Sequence, residues 1–230
     1  MKRTVFLAMA VILALPAISF SQISRSAAYD QIVYLKRENF MASSADTYRD
    51  VKGTPYLMQD FVEGKIYTKS GDVFPGEYRF DIFANRVQFM NNDVMYQVAY
   101  PDSVSKIEIG ETTLKYVEYT DGDEVKKGYF IVIEDGECLL LRQKNKVWYD
   151  ALPAKPYQTP EPPRFGNGKD LIFLKNGDAP AEKVAGEKDV LRLMGPREAE
   201  AKRIIDREKL KVKKEEDLLK LIKILNEVNL

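Results

Sequence analysis

The chain has 230 residues, with 35 Lys and Arg against 35 Asp and Glu, a single cysteine and no histidine. The missing histidine excludes Ser-His-Asp and Cys-His catalysis, every His-containing zinc site, and the side chain best suited to proton transfer near neutral pH. One cysteine allows neither an internal disulfide nor a thiolate metal cage, and the balanced charge gives no reason to expect a nucleic-acid partner.

Met1 to Ser21 has the grammar of a targeting segment. Lys2 and Arg3 precede an apolar run from Thr4 to Ile18, and Ser19-Phe20-Ser21 places small residues at −3 and −1 of a cleavage site. The run of roughly 15 residues falls short of the about 20 that a spanning helix needs, so cleavage after Ser21 is the expectation and an uncleaved anchor its rival. No cysteine stands at the processing site, which disfavours a lipoprotein. Cleavage removes Lys2 and Arg3 and no acid, leaving 33 basic against 35 acidic residues. No later apolar run is long enough to cross a bilayer as a helix.

Residues 22–53 form a polar, Tyr-containing arm, either helical or irregular, that suits the covering of a sheet edge. From 54 to 152 the pattern is that of short antiparallel strands. In Glu77-Tyr78-Arg79-Phe80-Asp81-Ile82, apolar and charged residues alternate, which gives a strand one buried and one wet face. Gly71 supplies a hairpin turn before Val73, Pro75-Gly76 predicts a bend or bulge, and Ala84-Asn85 offers the next turn. Further turns are expected at Asn91 to Asp93, Pro101 to Ser103, Thr120 to Asp123 and Asp135-Gly136. Cys138 precedes Leu139, Leu140 and Leu141, and is expected as a buried structural thiol in a strand.

Residues 153–170 are a Pro-rich connector, predicted to be extended and semi-rigid. In the segment 171–230 a hairpin turns at Asn176-Gly177-Asp178, followed by a short helix ending at Gly195 and a second opened by Pro196. The last helix, Glu215 to Val228, carries an apolar stripe of Leu218, Leu221, Ile222, Leu225 and Val228. The fold expected is therefore mainly β with C-terminal helices (α+β). Its centre is an antiparallel β-meander of roughly seven to nine strands, curling into a barrel or sandwich, with two to three helices beside it.

Chemistry is thinner. There is no GxxxxGK[ST] or GxGxxG phosphate loop, and Gly166-Asn167-Gly168-Lys169 lacks the spacing of one, so no cofactor is expected. Asp121, Asp123 and Glu124 lack the distal Glu of a calcium loop and are expected as a plain hairpin turn; no metal is expected. Asp72, Glu77 and Asp81 lie near one another on the expected wet face, where a paired-carboxylate hydrolase acting on envelope polymers would need them; solvated charges are the simpler account. Tyr78, Phe80 and Phe89 are candidates to line an apolar ligand cavity, if they do not simply fill the core. Leu218, Ile222 and Leu225 are candidates for partner binding, if their stripe does not pack on the protein itself.

The stretch GKIYTKSGDVFPGEYRFDIFANRVQF, followed by PDSVSKIEIG and KKEEDLLKLIKILN, resembles a group of uncharacterised exported proteins of Bacteroidetes-type bacteria. The resemblance implies an envelope or secreted location and supplies no site residues. A non-enzymatic binding or interaction protein of the cell envelope, with a possible envelope protein as partner, is the leading expectation. The alternatives are a small-molecule or lipid carrier and a carboxylate-dependent hydrolase.

Overall fold

The computed structural model describes residues 33–34, 48, 50–91, 94–154 and 159–227. The targeting segment, most of the arm, Asn92-Asp93, Pro156 and Val228 lie outside the described residues. The protein is mostly β, with a curled half-barrel sheet and C-terminal helices.

Chain order is simple up to the connector. The strands are β1 (Val33–Tyr34), β2 (Val62–Thr68), β3 (Val73–Asp81), β4 (Arg86–Asn91), β5 (Val94–Val98), β6 (Val104–Ile109), β7 (Thr112–Asp121), β8 (Glu124–Glu134), β9 (Cys138–Gln143) and β10 (Lys146–Tyr149). Beyond β10 come β11 (Arg164–Asn167), β12 (Leu171–Asn176), β13 (Glu182–Lys183) and the helices α1 (Glu187–Met194), α2 (Glu198–Glu208) and α3 (Glu215–Glu227). Among the described residues eleven strands form the main sheet in the order β1-β5-β4-β3-β2-β6-β7-β8-β9-β12-β13, and β10 and β11 form a separate pair. The strands β12 and β13, which follow the connector, complete the main sheet.

The period-two alternation sets the core. Tyr78 pairs with Phe89 and Phe80 with Val87, so these four lie on one face together with Ile66, Ile107 and Leu114. Tyr78 spans Gly76 on its own strand and comes near Gly64, where a Cβ would collide with the backbone of Glu108 in β6. Glycine is required at 64 by that close approach.

The second half of the sheet uses both faces. Leu140 and Leu174 continue the first face and are covered by the helices, while Phe130, Leu141 and Phe173 point the other way. Around this opposite face the strands close on themselves. Ala181, just before β13, bridges Tyr119 of β7: its N–H donates to the Glu118 carbonyl at 2.8 Å, and its carbonyl accepts from Thr120 at 2.9 Å. Strands β7, β8, β9, β12 and β13 thus make a small ring packed with Val117, Phe130, Leu141 and Phe173.

Two expectations are corrected. Pro75-Gly76 does not break the strand, because β3 runs unbroken from Val73 to Asp81. The Thr68 N–H donates to the Asp72 carbonyl at 3.0 Å, which makes Lys65 and Pro75 a non-hydrogen-bonded pair by alternation. The proline nitrogen therefore faces away from β2, on the side where β4 pairing has not yet begun. Asp81, expected on the wet face, is buried: its carboxylate accepts from Arg86 Nε at 3.1 Å and from the Ala84 N–H at 3.0 Å. Two charge-assisted bonds offset its desolvation.

The helices are docked. Gly195, at φ 53°, stops α1, and acidic residues at the start of α3 face the positive end of its dipole. Arg142 of β9 pairs with Glu215 at the start of α3, and Arg197 donates to the Leu225 carbonyl near its end at 2.7 Å. Leu218, Leu221, Ile222 and Leu225 are buried against β9, β12 and the other helices. The stripe offered for partner binding is spent inside the protein.

Candidate functional site: an aromatic edge

The β9–β12 pair breaks at Asn145 and Gly168, where the Gly168 N–H donates to the Asn145 carbonyl at 2.9 Å, and resumes as β10–β11. Alternation along this second pair puts Trp148 opposite Phe165 and Tyr149 opposite Arg164. The Trp148 and Phe165 rings meet edge-on with centroids 5.1 Å apart, and Tyr48 packs edge-on against the same Phe165 at 5.2 Å. Arg164 lies over the Tyr149 ring at 4.1 Å, a cation–π contact. Gly166 leaves room for the Tyr149 ring, since a Cβ there would come within 2.7 Å of it.

Phe83 completes the cluster from the turn between β3 and β4. Its centroid is 5.2 Å from Phe165 and 6.5 Å from Trp148. That turn is held from both ends. Asp81 accepts the Ala84 N–H, and Asn85, at φ 48°, clamps Tyr129 of β8 by donating from Nδ2 to its carbonyl at 3.1 Å and accepting its N–H at 2.7 Å. The N-terminal segment binds the other side: Lys52 donates to the Pro163 carbonyl at 2.9 Å and accepts from the Phe165 N–H at 2.8 Å. Phe83, so fixed, nevertheless remains 45% exposed, and Tyr149, on the other face of β10, 42%. Trp148 Nε1 donates to Asp150 at 2.9 Å, and Lys146 to Asn167 at 2.8 Å. Burial and the neighbouring Lys144 charge push the Lys146 ammonium below its ordinary range.

The residues singled out in the sequence fall elsewhere. Tyr78, Phe80 and Phe89 are at most 2% exposed and packed on one another, with the Tyr78 hydroxyl donating to the Phe74 carbonyl at 2.9 Å. They fill the core and line neither of the two clefts described next. Asp72, Glu77 and Asp81 do not converge: Asp72 accepts from Ser70, Asp81 is buried on Arg86, and Glu77 is exposed. Glu77 lies opposite Glu63 beside an open cleft of about 580 Å³, with Lys65 and Glu108. Glu108 is already engaged by Lys106 and Tyr67, whose hydrogen bonds hold its carboxyl below the usual range. A second open cleft of about 630 Å³ is lined by Glu134, Asp135, Glu137, Lys223 and Asn226. Among the described residues no group of three or more His, Cys, Asp or Glu could hold a metal ion.

Sequence reasoning missed Phe83 and the pairing of Trp148 with Phe165. One signal was present. Ile82 and Phe83 are adjacent apolar residues at a strand end, and period-two geometry sends only one of them inward.

In comparison with known proteins, no family model, no curated protein and no solved structure matches the chain.

Proposed function

We propose that this is an exported, non-enzymatic binding protein of the bacterial cell envelope that meets its partner through the aromatic edge. The observation that carries the reading is Phe83, 45% exposed although packed on Trp148 and Phe165 and held by its turn, with the exposed Tyr149 on the opposite face of β10. Exposed aromatic side chains on a fixed backing mark interaction sites, and aromatic anchors dominate their energetics. The signal-like start of the sequence supports export.

The test places a photo-activatable phenylalanine analogue at position 83 or 149 in the intact envelope. Position 125, at the β7–β8 hairpin and 59% exposed, serves as control. Adducts of one size at both positions and none at 125 are expected. Adducts equally strong at 125, or none at any position, overturn the reading.

A further inference from the structure

We infer that the outer edge of β10 takes an extended peptide strand, with an acidic side chain opposite Lys146 and an apolar one opposite Trp148. The inference rests on the aromatic edge being the contact surface, and it names the mode and chemistry of the occupant.

Ladder parity is the first observation. The Gly168 N–H donates to the Asn145 carbonyl, so Asn145 is in the hydrogen-bonded phase of the β10–β11 ladder and the phase alternates from there. Val147 and Tyr149 turn their backbone groups toward β11. Lys146 and Trp148 turn theirs outward. The Phe165 N–H donating away from β10, to Lys52, gives the same phase from the opposite strand. On the β11 side the outer edge is thus engaged by Lys52, but on the β10 side no described residue hydrogen-bonds to the backbone of Lys146 or Trp148. Two N–H and two C=O groups stand ready for another strand, the template that edge pairing uses.

Charge is the second observation. Lys146 and Arg164 have no carboxylate within ion-pair reach among the described residues, whereas Lys144 between the two ladders is satisfied by Asp170 at 2.7 Å. Lys146 and Trp148 share a face of the strand, two residues apart. A strand laid along β10 therefore meets a cation and an indole at alternate positions of the same face, and directly opposed side chains are the pairs that contribute. An acidic residue followed two positions later by an apolar one satisfies both.

The probe is the capped heptapeptide Thr-Glu-Thr-Leu-Thr-Glu-Thr, which presents the pattern in either strand direction. Binding to the full chain is read by fluorescence of Trp148, the only tryptophan, and by amide hydrogen exchange. Expected is slowed exchange of the Lys146 and Trp148 amides, by at least about tenfold at saturation, with the Val147 amide unchanged. Replacing Glu by Lys in the peptide, or Lys146→Gln in the protein, should weaken binding by about threefold to fivefold. Lys146→Pro removes one outward donor without touching the ladder to β11, and should cost more than Lys146→Gln. Because proline can also perturb the strand itself, the same loss is required of a peptide N-methylated at alternate amides, tested on the unaltered protein. A fluorescence response without amide protection, or binding indifferent to N-methylation, overturns edge pairing and leaves the aromatic surface standing. No binding by either readout overturns the edge and its acidic–apolar occupant, while cross-linking decides separately on the surface.

Discussion

Asn226, near the end of α3, treats Cys138 as a neighbouring strand would: its Nδ2 donates to the Cys138 carbonyl at 3.0 Å and its Oδ1 accepts the Cys138 N–H at 3.0 Å. These groups sit on the side of β9 that β8 does not reach, since the β8 pairing stops at Leu140. One amide side chain thereby closes the ladder and fixes the helix end. Asn226→Ala should lower stability by about 1–3 kcal/mol, because two backbone groups lose their partner. Asn226→Asp keeps the acceptor and loses the donor, and should be nearly as damaging. At Gly136 a Cβ would run into the same amide, so Gly136→Ala should destabilise as well. The double variant Gly136→Ala/Asn226→Ala should cost less than the sum, as shared contacts do. Urea denaturation of the four proteins measures the cycle.

The apolar stripe of α3 holds the fold together, and truncation there should show it. Ile222→Ala and Leu225→Ala should each lower stability by about 2–5 kcal/mol, the cost of a buried cavity. Cys138 offers a second readout. Burial pushes its thiol up and leaves no exposed surface, so a thiol reagent should label it only as the helical layer opens. Labelling should accelerate in Ile222→Ala and in Asn226→Ala alike. Rapid labelling of the unaltered protein would contradict the packing.

Two buried tyrosines should answer differently to loss of a hydroxyl. Among the described residues Tyr129 OH has no hydrogen-bond partner, whereas Tyr78 OH donates to the Phe74 carbonyl. Tyr129→Phe is expected to be neutral or to stabilise by up to about 1 kcal/mol, and Tyr78→Phe to destabilise by about 1 kcal/mol. Thermal melts of the two single variants separate these signs.

Stability should fall at alkaline pH. Burial raises Tyr129 and Cys138 above their ordinary values, so the folded protein holds these protons after the unfolded chain has released them. A folded-state pKa above the unfolded one gives a contribution that is complete below the unfolded value and is lost as pH rises from there. The loss begins near about pH 8.5 for the thiol and about pH 10 for the phenol. Tyr129 adds up to about 1.4 kcal/mol per pH unit beyond its onset. Melting temperature followed across this range, in the unaltered protein and in Tyr129→Phe, gives the test: the variant should decline less steeply.

Local chemistry was legible and distant chemistry was not. The alternation of Tyr78, Phe80 and Ile82 gave the strand and its inward face, Gly71 gave the hairpin, and the spacing of Leu218, Ile222 and Leu225 gave the last helix. Each signal lies within a few residues of the structure it dictates. Pro75 misled because a missing donor matters only where a partner strand waits, and that depends on how far β4 extends. Asp81 misled because its cation, Arg86, arrives across the turn and draws the carboxylate inward. The candidate site was the least legible part. Phe83, Trp148 and Phe165 meet from three separate elements, and the turn bearing Phe83 is fixed by Asn85 on a strand 44 residues away.

The bridge between Ala181 and Tyr119 imposes an order of assembly. Until residue 181 has been made, the edge of β7 that faces away from β8 lacks a neighbour beyond its short pairing with β6, and β9 still waits for β12. A nascent chain halted in the connector therefore carries two unpaired borders around an unfilled apolar interior, the condition under which strands join the wrong neighbour. The segment from Ala181 onward acts as the latch of the whole, and trimming the chain back past Ala181 should yield a protein that clumps where the untrimmed one stays dispersed.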